Sequence, residues 1–178
     1  RFFWRYSISG NSWETRDNTP AGVESGGALV YTAGDYIYAL GGSNTRNFWR
    51  YSISGNSWET RANTPANVEA GGALVYTGGD YVYALGGNGT RNFWRYSISN
   101  NSWTSLLDTP DTIGDGGALT YDGTYIYAFR GNNSRSFWRF SPGLPTYDIM
   151  TTADVVSIEA RVAITGTDEV AIQSWETQ

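Results

Sequence analysis

The string FWRYSISGNSWETR occupies Phe3–Arg16 and returns unchanged at Phe48–Arg61. A degenerate copy, FWRYSISNNSWTS, opens at Phe93, and FWRF opens at Phe137, so the four phenylalanines lie 45, 45 and 44 residues apart. GGALVY at Gly26 and Gly71 returns as GGALTY at Gly116. DYIYALGG at Asp35 returns as DYVYALGG at Asp80 and TYIYAFRG at Thr124. Self-similarity at one fixed period means that a single supersecondary unit is stacked on copies of itself. The one-residue shortening falls where YDGTY replaces YTGGDY, in a turn, where loss of a residue is tolerated.

Within a unit the pattern predicts four short strands, Ala73–Tyr76, Tyr81–Leu85, Phe93–Ile98 and Ser102–Ser105. They are rich in Trp, Tyr, Val and Ile, and Gly, Asn, Asp and Pro punctuate the gaps. In FWRYSI, Trp49, Tyr51 and Ile53 alternate with Phe48, Arg50 and Ser52, whereas YIYAL is apolar on both faces and fits a sheet covered on both sides. Four-stranded sheets recurring every 45 residues predict an all-β chain, a β-propeller of four-stranded antiparallel blades.

The order of these marks resembles the kelch repeat. A double glycine closes the second strand at Gly41-Gly42 and Gly86-Gly87, and Tyr51 with Trp58 and Tyr96 with Trp103 span the third and fourth. The resemblance covers residues 1–141, with a half-blade at 1–20 and units at 21–65, 66–110 and 111–150. At Arg130-Gly131 the first glycine is lost, and an altered turn is expected there if that position requires positive φ.

The period fails after Pro142, and 151–178 reads as a C-terminal β-hairpin. Val156, Ile158, Ala160, Val162 and Ile164 alternate, GTD turns the chain, and Val170 and Ile172 continue on the return. The final SWETQ echoes Ser12–Thr15. Three readings stand: the hairpin closes a four-bladed ring on the N-terminal half-blade; the propeller is partial and continued by other sequence or another subunit; or the hairpin belongs to a separate β-domain. A chain that opens on Arg1, inside a repeat, is expected to be a processed product or a part of something longer.

Composition narrows the chemistry. The chain has 178 residues, no Cys, no His, and twelve cationic side chains that are all Arg. Thiolate, imidazole and Schiff-base lysine chemistry are therefore excluded. Within the kelch resemblance, radical copper oxidases need His and a Cys cross-linked to Tyr, and sialidase-like propellers need an S-x-D-x-G-x-x-W box; the sequence has neither. A net charge of −5 argues against nucleic acid, and no apolar run approaches the roughly 18 residues of a membrane span. No cofactor and no metal are expected. The Asn, Ser, Thr and aromatic content is compatible with an extracellular or cell-surface protein.

Four sets of residues are candidates for binding. Trp4, Trp49, Trp94 and Trp138 offer sugar-stacking platforms, yet their repetition in every unit favours packing between blades. Arg5, Arg50, Arg95 and Arg139, each with an Arg four residues earlier (Arg1, Arg46, Arg91, Arg135), offer a cationic ring. The competing reading stacks them on aromatics and pairs them with Glu24, Glu69 and Asp115. Those acids in turn offer a weak cation site or a glycosidase carboxylate, although each unit carries one and nothing singles out two. The variable loops after the double glycine are the residues chosen for ligand binding: Ser43, Asn44, Arg46, Asn88, Arg91, Asn132, Asn133 and Arg135. Sequons mark Asn88, Asn100 and Asn132 as candidate glycosylation sites.

The expectation is a non-catalytic scaffold or adhesion module that recognises a protein or glycan through its loops. The alternative is a fibre subunit that passes strands to other copies of itself, and a carbohydrate-active enzyme stands further off.

Overall fold

A computed structural model describes residues 2–142 and the backbone of three strands beyond them, Arg161–Thr165, Glu169–Gln173 and Trp175–Thr177. The described residues form sixteen strands. The first sheet is two-stranded, β1 (Phe3–Ser7) with β2 (Ser12–Arg16). The second is an antiparallel meander of β3 (Ala28–Tyr31), β4 (Tyr36–Leu40), β5 (Phe48–Ser52) and β6 (Ser57–Thr60). The third repeats it with β7 (Ala73–Tyr76), β8 (Tyr81–Leu85), β9 (Phe93–Ser97) and β10 (Ser102–Ser105). The expected strands of this unit hold, with the third one residue shorter.

The fourth sheet contains β11 (Ala118–Tyr121), β12 (Ile126–Phe129), β13 (Phe137–Phe140) and, as its last strand, β16 (Trp175–Thr177). β16 pairs Trp138 with Thr177, Arg139 with Glu176 and Phe140 with Trp175. The second sheet pairs Trp49 with Thr60, Arg50 with Glu59 and Tyr51 with Trp58, which is the same register. This corrects the reading of 151–178 as a hairpin alone: Trp175–Thr177 is the fourth strand of the sheet that contains β13. It also corrects the closure reading. The hairpin of β14 (Arg161–Thr165) and β15 (Glu169–Gln173) pairs within itself, and among the described strands it pairs with no other sheet. Val156, Ile158 and Ala160 lie outside the described residues.

The blades meet face to face through apolar side chains. Tyr38, Leu40 and Phe48 of the second sheet pack against Leu74, Val82, Trp94 and Tyr96 of the third. Tyr83, Leu85 and Phe93 of the third pack in turn against Ile126, Ala128, Trp138 and Phe140 of the fourth. Phe48, Val82 and Leu85 are wholly buried, each worth about 1.5–3 kcal/mol by transfer. Where the first strands converge, backbones come too close for any side chain. A Cβ on Gly26 would lie 2.0 Å from the Glu69 carbonyl oxygen, and one on Gly71 2.2 Å from that of Gly114. Both glycines also have positive φ, so the first glycine of GGALVY is doubly required.

At the first two boundaries the outer half of a blade is locked to the next by polar contacts, and the long repeat encodes both sides of the lock. Arg16 Nε donates to the Tyr51 hydroxyl at 3.1 Å. The Asp17 N–H donates to Asn56 Oδ1 at 3.1 Å, and the indole of Trp58 donates to the Asp17 carbonyl at 2.9 Å. One period later Arg61 donates to Tyr96 at 3.1 Å, Ala62 N–H to Asn101 at 2.9 Å, and Trp103 to the Ala62 carbonyl at 2.9 Å. Only the backbone of Asp17 and Ala62 is used, which is why the two residue types interchange. Asn56 and Asn101 adopt φ of 47° and 50°, in the left-handed region that Asn tolerates better than most residues. At the third boundary Leu106 stands for the arginine and Phe140 for the tyrosine, and Leu106 packs against the cluster containing Phe140.

Candidate ligand-binding loops

The loops joining the second and third strands of each blade are built on left-handed turns. Gly42, Ser43 and Asn44 have φ of 65°, 54° and 57°. Gly87, Asn88 and Gly89 follow with 67°, 55° and 65°, and Gly131, Asn132 and Asn133 with 72°, 54° and 56°. Thr45 N–H closes the first turn on the Gly42 carbonyl at 3.0 Å, and Thr90 and Ser134 do the same at Gly87 and Gly131. Two central residues with positive φ make this a type I′ turn, for which Asn and Gly are the favoured residues. The asparagines selected from the sequence therefore have a backbone reason to be there.

The double glycine divides its work. Only the second member, Gly42, Gly87 or Gly131, has positive φ. The first is constrained by crowding, since a Cβ on Gly41 would lie 2.9 Å from the Trp49 ring and one on Gly86 2.9 Å from that of Trp94. Arg130 consequently leaves the turn intact. Its N–H bonds the Ser136 carbonyl at 3.3 Å, as Gly41 bonds Asn47 at 3.0 Å. The expected altered turn is absent from the described residues.

Each loop is held from its own blade, and the first two are also held from the following unit. Ser43, Asn88 and Asn132 donate their N–H groups to Ser25, Ala70 and Asp115 in the segment before the first strand of their own blade. Val68 and Ile113 of the following unit, both buried, donate back to Thr45 and Thr90 at 2.8 Å. Asn44, Arg46, Asn88, Arg91, Asn132, Asn133 and Arg135 are exposed, and Ser43 is half-buried. All lie at the same end of the strands. Asn100 sits in a turn between third and fourth strands, at the opposite end, so the sequons at Asn88 and Asn132 share an end that Asn100 does not.

The arginines divide by position. Arg46 and Arg91 donate Nε to the carbonyls of Thr64 and Thr109. Their terminal nitrogens make no ion pair among the described residues, which corrects the expected pairing with Glu24, Glu69 and Asp115. Glu24 instead accepts from the Ser43 hydroxyl at 2.8 Å. Arg50 and Arg95 lie 4.1 and 4.4 Å from the ring centroids of Tyr36 and Tyr81, and Arg139 lies 4.4 Å from Tyr125, as the stacking reading expects. Their carboxylate partner, where one is seen, is across the hairpin, Arg5 with Glu14 and Arg50 with Glu59. The two arginines on Glu59, Arg50 first and then Arg61, hold its carboxyl below the usual range. Arg1 lies outside the described residues.

The tryptophans are packing residues in three blades, with Trp49 and Trp94 at 2 % exposure and Trp138 at 4 %. Trp4 is 50 % exposed and stacks on Phe2. Glu24 and Asp115 are exposed and Glu69 half-buried; among the described residues no three His, Cys, Asp or Glu side chains gather to hold a metal. The opposite end carries an open cleft of about 400 Å³ between the third and fourth blades, lined by Tyr81, Tyr83, Tyr121 and Thr124 among others. Nothing in the sequence period marks it, because its walls come from two different units.

These sheets define a β-propeller-like all-β architecture. No family profile matches the chain, and no curated protein matches it. Among solved structures, that of YjhT superposes with a TM-score of 0.59 at 13 % identity, covering 71 % of this chain. The match spans 51 % of the YjhT chain. At that identity the likeness concerns the fold alone.

Proposed function

We propose that this chain is a non-catalytic, kelch-like scaffold, extracellular or at a cell surface, that recognises a protein or glycan through the loops at 43–46, 88–91 and 132–135. The observation that carries the reading is the division of labour among its polar side chains. Arg16, Arg61, Asn56, Asn101, Trp58 and Trp103 are spent between blades. The guanidinium ends of Arg46, Arg91 and Arg135, with the amides of Asn44, Asn88 and Asn132, stay exposed at one end. Rigidly held loops carrying planar donors suit hydroxyl- and carboxylate-bearing partners. The absence of Cys, His and Lys from the sequence supports a binding role over catalysis.

Glycan-array and cell-surface binding of the pure chain test this. Arg46→Ala with Arg91→Ala is expected to abolish binding, while Asn88→Gly, which keeps the left-handed turn, weakens it. Binding indifferent to all three changes would remove the loop face from the account.

A second reading, a self-assembling subunit, is favoured by one observation. Phe2, Trp4, Tyr6, Ile8 and Trp13 are exposed together on the first sheet, Ile8 at 88 % and Trp13 at 70 %. Contiguous exposed aromatics mark contact surfaces. Sedimentation of the chain over a wide concentration range decides between assembly and a monomer.

A further inference from the structure

The cleft between the third and fourth blades lies at the end of the strands opposite the loops at 43–46, 88–91 and 132–135. Tyr81 and Tyr83 from one unit face Tyr121, Thr124, Ser141 and Pro142 from the next across it. The repeat period does not mark this place, but departures from the period fall on it. The one-residue shortening, YDGTY for YTGGDY, supplies Gly123 and Thr124 of its wall. Thr124 stands where the two earlier units have Asp35 and Asp80, and Pro142 where they have Ile53 and Ile98.

The exchange at Thr124 removes a pair of hydrogen bonds. Asp80 accepts from the Ser97 hydroxyl at 2.6 Å and from the Ser99 N–H at 2.7 Å. Asp35 does the same with Ser52 at 2.6 Å and Ser54 at 2.7 Å. Ser141, the counterpart of Ser52 and Ser97, has no such carboxylate opposite it and is exposed on the cleft. The packing loosens at the same place. Between the second and third blades Tyr76 and Ile98 pack against the cluster that contains Tyr38, whose hydroxyl is buried. One boundary later Phe140 replaces Tyr96, and its ring centroid stands 6.3 Å from that of Tyr83, against 5.7 Å between Tyr38 and Tyr96.

The walls are aromatic and neutral. Tyr83 is 2 % exposed yet forms part of the lining. Its hydroxyl lies near the Arg95 guanidinium, but no partner meets it in bonding geometry among the described residues. The Tyr81 ring carries Arg95 at 4.4 Å from its centroid and still keeps 37 % exposure. Thr124 and Ser141 add hydroxyls that both donate and accept. No carboxylate or guanidinium belongs to the residues that line the cleft.

We infer that this cleft binds a neutral saccharide, whose apolar C–H face lies on the tyrosine rings and whose hydroxyls meet Tyr83, Thr124 and Ser141. Tyrosine pairs an apolar body with a polar tip, as such a ligand does. A charged ligand would lose its water there without gaining an opposite charge from the lining. The volume of about 400 Å³ falls within the range of small-molecule sites. The site is separate from the loop face, which offers guanidinium groups at the other end, so the two readings fail independently.

The test titrates the full chain with cellobiose, lactose and mannobiose, read by saturation-transfer NMR. At least one should bind saturably, with a dissociation constant on the order of 1 mM. Tyr83→Phe removes a hydroxyl that bonds no described residue, so the fold is kept, and it should weaken binding about tenfold. Thr124→Asp, which restores the carboxylate of the other units, should weaken it about as much. Arg46→Ala with Arg91→Ala should change nothing. The inference is overturned if no disaccharide saturates by about 20 mM, as when the chain's own residues fill the cleft. Unchanged affinity in both cleft variants overturns it as well. So does tighter binding of decaproline, since tyrosine-lined grooves also accept proline-rich peptides. Loss of binding in the arginine variant would move the saccharide to the loop face and end the inference.

Discussion

Arg61 Nε meets the Tyr96 hydroxyl at 3.1 Å across the boundary between the second and third blades. One unit later the chain carries Leu106 and Phe140 in the two places. Both partners change together, from a charged donor and its acceptor to two apolar groups. Either pair is self-consistent, whereas a mixture leaves a hydroxyl or a guanidinium without its partner in a partly buried seam. The repetition of FWRYSISGNSWETR therefore preserves a contact between units and not a site within one.

The hydroxyls of Tyr38 and Tyr96 should respond in opposite ways to removal. Tyr96 OH receives Arg61 and donates to Asn101 at 2.8 Å. Tyr38 OH is buried and lies near the Arg50 guanidinium, but no partner meets it in bonding geometry among the described residues. Tyr96→Phe is expected to cost about 1–3 kcal/mol, and Tyr38→Phe to be neutral or stabilising, since an unsatisfied polar atom is lost. Urea unfolding of the two variants beside the parent measures both.

Two glycines with positive φ separate backbone strain from close approach. Gly79, φ 60°, has open space where a Cβ would sit, and Gly71, φ 89°, has the Gly114 carbonyl at 2.2 Å. Gly79→Ala should cost about 1–2 kcal/mol from the left-handed conformation alone. Gly71→Ala should cost several times as much, because two blade backbones must move apart. Thermal unfolding of both variants gives the comparison.

Acid and alkali should unfold the chain through different residues. The Ser52 hydroxyl and then the Ser54 N–H hold Asp35 below the ordinary carboxylate range, and Ser97 does the same for Asp80. A folded pKa that is depressed adds stability above the unfolded value, about 3.9, and that stability is lost as pH falls through the folded value. Asp35→Asn with Asp80→Asn should therefore flatten the stability profile below about pH 4. Burial pushes the hydroxyls of Tyr38, Tyr83 and Tyr96 up. Their contribution is complete below the unfolded value near 10 and disappears as pH rises through the folded one. Absorbance at the tyrosinate band should show these three ionising together with unfolding.

Much of the architecture was legible because it is local. The strands Ala73–Tyr76, Tyr81–Leu85 and Ser102–Ser105 appear where alternation and turn residues place them. What escaped depends on contacts across sequence. Asn56 reads as a turn residue, and its bond to a backbone N–H 39 positions away leaves no mark on its own neighbours. The terminal SWET is visible as an echo, but a strand far from its partner in sequence cannot be assigned a sheet from periodicity. Gly41-Gly42 looks like one motif and holds two different constraints, one steric and one conformational. In the loops, the sequence marked Ser43, Asn88 and Asn132 for binding, and the type I′ geometry supplies a conformational reason for the same residues.

The central claim, that the repeated string is a lock between blades, is tested most directly by a double-mutant cycle on Arg61→Leu and Tyr96→Phe, read by equilibrium unfolding. Each single change should destabilise by about 1–3 kcal/mol, and the double variant should recover a coupling energy of about 0.5–1.5 kcal/mol, since it recreates the pairing of Leu106 with Phe140. Strict additivity of the two changes would contradict the account.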